Sequence, residues 1–494
     1  MAPSTETEIK LRGDVAVLTQ AFAALGGDAQ KTTEVVSVYH DTRDDRLWRK
    51  GYTLRLRATG GAHELTLKSE GAGLLVRGEW SVQLDEAVPD PGLLPPSAPR
   101  DELGLILPEE LVERHRTVAK RTRKRVETDG SVIEVSLDLG SIEANGQAHA
   151  LGEIEFELLH GDEAAILTLA ERVLTNHTVA IEARSKAARG MELVTARPPA
   201  WHRAARPALV PADTIDGAIA HILSVTVAQA MANMAAAADG RDVSGVHQLR
   251  VALRRLRSGF SIFGEHLGEP VEGLNEQARR LLQALSPARD LDVFLNETLP
   301  PVLAEYPEGR GLDQLKQRAA QQRAAAYAQV RGICDDPEFS RFLVRVLLLA
   351  RELEDHQRDD VSVRDFSIDV MKRHRKKALK KGRDFDTMPT VQRHEVRIAV
   401  KKLRYAVDFF RALYPPDDVK PFRRKLKTLQ DDFGALNDAA VADVLADRIA
   451  DGFVEALMGA ALIKGWYAHR LKAIEPHMIV AWNDFRKTDP FWKR

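Results

Sequence analysis

The chain has 494 residues, with 71 Lys and Arg against 72 Asp and Glu, for a formal net charge of -1. The length suggests two to four domains, and a hydrophobic share of 44% is enough for real cores. A single cysteine, Cys334, excludes an intrachain disulfide and a thiolate metal cluster. No stretch is taken to approach the roughly 18 to 20 uncharged apolar residues of a membrane helix, and the N-terminus lacks a signal peptide's apolar run, so a cytoplasmic location is expected.

Residues 5 to about 160 alternate apolar and polar side chains in TEIKLR, YTLRLR, HELTLK, SVIEVSLDL and GEIEFEL, which predicts strands. ATGGAH, SEGAG and EANGQ read as turns between them, and 89–100 as a proline-rich connection. Helices are expected near 13–25 and 162–176. The Pro- and Arg-rich stretch around 197–212 reads as a linker. After Asp213 the composition turns to Ala, Leu, Arg and Glu with helical period, and no strand signal follows.

The helical half repeats itself. His247, Arg250, Arg254, Arg255 and Arg257 reappear 147 residues later as His394, Arg397, Lys401, Lys402 and Arg404. Gln283 and Gln430 keep that offset, and Arg289-Asp290 is followed in the second copy by Asn437-Asp438. A repeat of this length is too long for a solenoid and suggests two similar helical bundles about a pseudo-twofold axis. The expected fold is α+β and multi-domain. It comprises a β-rich domain at 1–197, a linker at 198–212 and an all-helical domain at 213–494, with repeats at about 213–345 and 360–494.

Alternate residues of a strand share a face. Glu6, Glu8 and Lys10 share one, as do Arg55 and Arg57, Thr66 and Lys68, Arg77 and Glu79, Arg121 and Arg123, Glu134 and Asp138, and Glu153, Glu155 and Glu157. On any one strand this is the ordinary pattern of charges facing water. Taken together, however, carboxylate clusters recur on some strands and Arg or Lys pairs on others. Three glutamates at alternate positions repel one another unless cations sit among them. Hard divalent ions bind carboxylate oxygens together with substrate phosphates, and Arg and Lys hold phosphate oxygens. A closed barrel with its charged face inward would bring both sets into one lumen.

Glu6, Glu8 and Lys10 resemble the ExExK signature of the CYTH, or triphosphate tunnel metalloenzyme, family. Tyr39 to Thr42, Leu54 to Arg57, Thr66 to Lys68, Arg77 with Glu79, Arg121 with Arg123, Glu153 with Glu155, and Ser185-Lys186 follow in the family's order. Ser81 departs from it, standing where the family usually carries a second carboxylate. The resemblance implies an eight-stranded antiparallel barrel tunnel with flanking helices that hydrolyses or cyclises a triphosphate. By the same resemblance Glu6, Glu8, Glu153 and Glu155 would bind Mg²⁺ or Mn²⁺, and Lys10 and Lys186 would join them in catalysis. Arg55, Arg57, Lys68, Arg77, Arg121 and Arg123 would grip phosphates, with Glu79 and Asp138 as supporting acids. The implied mechanism is metal-assisted in-line attack of water on a terminal phosphoryl group.

Along 243–263, Val246, Leu249, Leu253, Leu256, Phe260 and Phe263 form an apolar stripe. His247, Arg250, Arg254 and Arg257 follow the same spacing about 100° round the helix. One such face is ordinarily a solvated basic surface; two copies at fixed spacing point to an anion. These residues, with Arg289, resemble the CHAD domain. That resemblance implies polyphosphate binding by His247, Arg250, Arg254, Arg255, Arg257, Arg289, His394, Arg397, Lys401, Lys402 and Arg404.

The basic run at 372–383 would extend the groove. Alone it could equally be a nucleic-acid patch, but the basic helices lack interleaved aromatics, which favours a simple polyanion over nucleic acid. The leading expectation is an inorganic triphosphatase with an appended domain for long-chain polyphosphate, associated with polyphosphate granules and with no membrane partner. The alternatives are ATP cyclisation, thiamine triphosphate hydrolysis and a non-catalytic granule protein.

Overall fold

A computed structural model of the chain describes residues 4–69, 76–268, 270–355 and 361–493. The side chains of residues 4–6, 76–77, 270, 355, 390–391, 435–440 and 471–473 lie outside that description. The chain divides into two compact units. The first holds Met1–His202, Met231–Asp242 and Ile333–Leu348; the second holds Arg203–Ala230, Val243–Gly332 and Leu349–Arg494.

The first unit is built on nine strands: β1 (Ser4–Arg12), β2 (Thr33–Thr42), β3 (Tyr52–Thr59), β4 (Ala62–Ser69), β5 (Val76–Leu84), β6 (Leu111–Thr128), β7 (Ser131–Ala144), β8 (Gln147–His160) and β9 (Ala180–Ile181). The sheet order is β5-β4-β3-β2-β6-β7-β8-β1-β9, and an additional β5–β1 pairing closes β1 to β8 into a ring. Closure removes the sheet edges and gives the strands an inside and an outside. Three hairpins turn on dipeptides suited to positive φ: Gly60-Gly61 (58° and 91°), Asp129-Gly130 (48° and 75°) and Asn145-Gly146 (52° and 73°).

Helices α1 (Val15–Ala24), α2 (Arg46–Arg49), α3 (Arg100–Leu103), α4 (Glu163–Asn176) and α5 (Lys186–Thr195) accompany the strands. The apolar outer residues of β7, β8 and β1 are covered by α1 and α4. The apolar outer face of β3 and β4 (Leu54, Leu56, Leu65 and Leu67) packs against Leu94, Ala98, Leu103 and Ile106. The proline-rich connection is therefore a lid on one wall of the barrel. Helix α5 runs close to β6: a Cβ on Gly190 would come within 2.0 Å of the His115 ring.

The helical half comprises α6 (Ile215–Asp239), α7 (Ser244–Leu267), α8 (Pro270–Ala284), α9 (Ser286–Val293), α10 (Leu299–Glu305), α11 (Leu312–Asp335), α12 (Pro337–Asp355), α13 (Val363–Lys381), α14 (Thr390–Phe410), α15 (Pro416–Ala450) and α16 (Val454–Lys487). Shifted by the 147 residues of the repeat, α6 falls on α13, α7 on α14, α8 to α10 on α15, and α11 on α16. The first copy breaks where Pro287 and Pro300 enter; α15 has no proline there and runs on.

The packing of α7 on α14 is reciprocal. Lys402 donates to Ser261 Oγ at 2.8 Å, and the counterparts of these two under the offset, Arg255 and Asp408, form an electrostatic pair. Phe263 meets its own counterpart, Phe410, edge-on at 5.9 Å. Contacts that exchange partners in this way are the mark of a twofold axis.

One expectation is corrected. Helix α6 does contain an 18-residue window long and apolar enough to cross a membrane, with mean hydropathy 1.4. Its composition comes from packing, because 67% of that window is buried in the fold. Thr226, Gln229 and Asn233 are buried on it as well, and Asn233 exchanges hydrogen bonds with the His202 backbone at 2.9 Å.

Candidate active site

Residues paired across an antiparallel ladder point to the same face. The pairings Lys10–Glu155, Ser136–Glu155, Asp138–Glu153 and Arg121–Asp138 therefore set one charged face across β1, β8, β7 and β6. Arg57–Ser37, Arg55–Thr66 and Lys68–Glu79 continue it over β2, β3, β4 and β5. Within the closed ring this face lines the lumen. β3 lies four strands from β8 in either direction round the ring, so Arg55 and Arg57 occupy the wall opposite Glu153 and Glu155.

The acidic wall centres on Asp138, Glu153 and Glu155, whose ligand oxygens all lie within 4.8 Å of one another. Lys186 Nζ is 2.8 Å from Asp138 Oδ2, 2.8 Å from Glu155 Oε1 and in contact with Glu153 Oε1. Arg121 Nε donates to Asp138 at 2.6 Å and Arg121 Nη2 to Glu155 at 2.8 Å, while Arg189 Nη1 donates to Glu153 at 2.9 Å. Burial alone would raise all three carboxyls. At Glu153 burial wins and the pKa is raised. At Glu155 the cations Lys186, Arg121 and Lys10 outweigh burial and hold it well below the usual range; at Asp138 Lys186 and Arg121 outweigh burial and lower the pKa. Lys186 itself is buried, yet the three carboxylates raise its pKa.

Lys186 reaches the lumen as the first residue of α5, whose cap Ser185 accepts from the Ala188 N–H at 2.9 Å. Arg189 follows one turn later on the same side. It carries no strand motif, so strand alternation missed it; its spacing from Lys186 was the available signal.

The opposite wall is cationic. Arg55 Nη2 donates to Thr66 Oγ1 at 3.1 Å and lies 3.6 Å from Glu64 and 3.9 Å from Glu79. Arg57 Nε donates to Ser37 Oγ at 3.3 Å, and no carboxylate among the described residues forms an ion pair with it. Burial, then the neighbouring Arg55 and Arg121, lower its pKa to about 10. Lys68 pairs with Glu79 at 3.0 Å, Arg123 with Glu134 at 3.3 Å, and Glu8 with Lys10 at 2.7 Å. Ser81 hydrogen-bonds both Thr66 and Glu79 at 3.1 Å, in the place of the missing carboxylate. Glu6 and Arg77 are registered with each other on β1 and β5, but their side chains lie outside the described residues.

The family comparison agrees with this geometry. The CYTH domain model matches residues 4–191 and the CHAD domain model residues 221–447. The chain carries a CYTH domain followed by a CHAD domain. The CHAD domain from the plant Ricinus communis is 26% identical at a TM-score of 0.50, covering 56% of this chain and 96% of that one. PptA from Streptomyces chartreusis is 14% identical at a TM-score of 0.42, over 55% of this chain and 100% of its own. HpAC1 from Hippeastrum, a putative adenylyl cyclase with a dominant triphosphatase activity, is 23% identical at a TM-score of 0.30, over 38% and 95%. CYTH tunnel enzymes act on triphosphates and depend on divalent metal, and CHAD domains are generally associated with polyphosphate binding.

The CYTH carboxylates fit such a metal: hard oxygen donors of Asp138, Glu153 and Glu155 converge within 4.8 Å of one another.

In the CHAD domain the two motif copies converge. Lys401 sits among Arg254, Arg397, Arg404 and Arg250, and His247 among Arg289, Arg254 and Arg250. Burial first, then these cations, lower Lys401 to about 7 and His247 to about 4. Arg250 is tied to the Leu282 carbonyl and Ser286 Oγ at 2.7 Å. The Nε atoms of Arg254 and Arg404 are buried without a hydrogen-bond partner.

Arg257 and Lys402 lie instead beside each other and near Lys377 and Lys381 of the 372–383 run. Arg255 is 6% exposed and donates to Gln229 Oε1 at 3.0 Å, and of the first group Arg404 acts on it. His394 is exposed at the start of its copy. The side chains of Asn437 and Asp438 lie outside the described residues.

Proposed function

We propose that the tunnel hydrolyses inorganic triphosphate to diphosphate and phosphate with Mg²⁺ or Mn²⁺, and that the CHAD domain binds long-chain polyphosphate. The observation that carries the first part is the lumen's division into two walls. Asp138, Glu153 and Glu155 converge on one side, and Arg55, Arg57 and Lys68 face them across the barrel. A triphosphate has only phosphate oxygens to recognise, and the walls offer cations for those oxygens and carboxylates for the counter-ion.

Asp138, Glu153 and Glu155 would hold the divalent cation, with Glu8 in the adjoining row and Glu6 on the same strand. When bound, the cation supplies charge neutralisation and polarises the phosphoryl oxygens. Arg55, Arg57, Lys68 and Arg123 grip the chain of phosphates and neutralise charge on the equatorial oxygens. Glu153 and Glu155 orient water for in-line attack. Lys186 and Arg121 fix the carboxylates before substrate arrives, so little reorganisation is needed during reaction.

The second part is supported by the crowding of Arg250, Arg254, Arg397, Lys401 and Arg404, a concentration of charge that a polyanion relieves. The test is phosphate release from tripolyphosphate, longer chains, ATP and thiamine triphosphate with and without Mg²⁺, set against a Glu153→Gln/Glu155→Gln variant. Release from tripolyphosphate that needs both metal and carboxylates supports the reading. No metal-dependent release from the parent would leave a polyphosphate-binding protein.

A further inference from the structure

The first unit contains two segments remote in sequence from the barrel, Met231–Asp242 and Ile333–Leu348. The second of these bears on Lys186. Ser340 has no exposed surface, and its Oγ accepts the buried N–H of Ile181 at 3.0 Å. Ile181 belongs to β9, a strand of only two residues laid against β1 at Leu11 and Arg12. The next residue, Glu182, donates its N–H to the Lys10 carbonyl at 2.9 Å. Its buried carboxylate takes Arg184 Nη2 at 2.7 Å, Arg184 Nε at 2.9 Å and the Arg184 N–H at 3.0 Å. Ser185 then caps α5, and Lys186 follows.

We propose that Ser340 is a positioning residue of the tunnel: by anchoring β9 it holds the segment 180–185 that delivers Lys186 to Asp138, Glu153 and Glu155. The proposal rests on the reading of those carboxylates as the metal-binding wall. A two-residue strand has too short a ladder to hold its own place. Without the Ser340 oxygen the Ile181 N–H would be buried and unpaired, and it would recover a partner by moving towards water. That motion displaces the Glu182 clamp and the α5 cap with it. Asp335, from the same remote segment, takes Arg12 Nη2 at 2.6 Å, while Arg12 Nε lies 3.8 Å from Glu182. Both contacts hold the end of β1 that also carries Lys10. Arg55, Arg57 and Lys68 stand on β3 and β4 and take no part in this chain of contacts.

The test uses the full-length protein with Ser340→Ala, Ser340→Thr and Ser340→Cys. Mg²⁺ affinity is read by calorimetry, and tripolyphosphate hydrolysis is read as kcat and KM. Ser340→Ala is expected to weaken Mg²⁺ binding about tenfold, as losses of outer-shell support do, and to lower kcat by about the same factor. KM for tripolyphosphate should stay within twofold, because the phosphate-gripping wall is untouched. Ser340→Thr, which keeps the acceptor, should restore both. Partial unfolding alone would lower kcat without moving the Mg²⁺ affinity.

A folded Ser340→Ala protein with Mg²⁺ affinity within twofold of the parent overturns the proposal. If the Ala variant does not fold, Ser340→Cys decides on the same readout, since it keeps the volume and supplies only a weak acceptor. A parent that binds Mg²⁺ yet releases no phosphate sinks the triphosphatase reading, and the metal affinities still decide the role of Ser340.

Discussion

Lys186 Nζ stands 2.8 Å from Asp138 Oδ2, so the first turn of a helix reaches the middle of a barrel strand. The contact gathers three carboxylates that would otherwise repel one another, and it defines the acidic wall of the lumen. Replacing Glu155 tests that wall directly. Glu155→Gln keeps the shape and removes the charge that Lys186 and Arg121 share. Metal-dependent phosphate release should fall about 10²-fold or more while the folded signal stays. Activity within threefold of the parent would mean the lumen acts through other groups.

Lys401 sets a pH dependence in the CHAD domain. Burial, then Arg254, Arg397, Arg404 and Arg250, lower its pKa to about 7 in the free protein. Bound phosphate favours the charged form and raises the pKa again. A basic group whose pKa rises on binding strengthens the complex fully below its free-state value. That contribution is lost as pH climbs through the bound-state value. Polyphosphate affinity should therefore fall from pH 6 to pH 9, with proton uptake on binding near pH 8. A flat affinity over that range, measured by calorimetry in buffers of different ionisation heat, would remove Lys401 from the groove.

Arg254 and Arg255 are neighbours in sequence with different surroundings. Arg254→Ala should weaken polyphosphate binding and reduce the slope of log affinity against log salt, by about 0.7 for one lost contact if the polyphosphate chain behaves as a single nucleic-acid strand does. Arg255→Ala should leave that slope unchanged and lower stability, because Gln229 Oε1 loses its buried donor. Equal effects on binding would contradict the placement of the two side chains.

Gly190 is the point of closest approach between α5 and β6. A Cβ there would meet the His115 ring, which is 2% exposed and stacked on Tyr39 at 4.4 Å. Both are buried, so the ring or the helix must shift to admit it. Gly190→Ala should cost about 1–3 kcal/mol in urea unfolding, despite the better helix propensity of alanine. A neutral or stabilising result would show that α5 shifts freely against the barrel.

Alternation along each strand was legible in the sequence, and it sorted the charged side chains onto one face of each strand, because period two allows only two faces. The 147-residue repeat was legible too, and α7 and α14 carry its two copies as expected. The membrane-length apolar window of α6 runs against the expectation that no such stretch exists; 67% of it is buried in the fold.

Which strands neighbour one another, and hence which acids meet which cations, depended on ring closure. Sequence spacing cannot say that β3 stands opposite β8. It equally cannot say that Arg189 joins Glu153, that Arg255 turns inward to Gln229, or that Ser340 reaches Ile181. The physical reason is range. Side-chain period is set by local backbone geometry and is written residue by residue. Pairings between distant segments are chosen by the burial and neutralisation of the whole unit, and they exist only once it has closed.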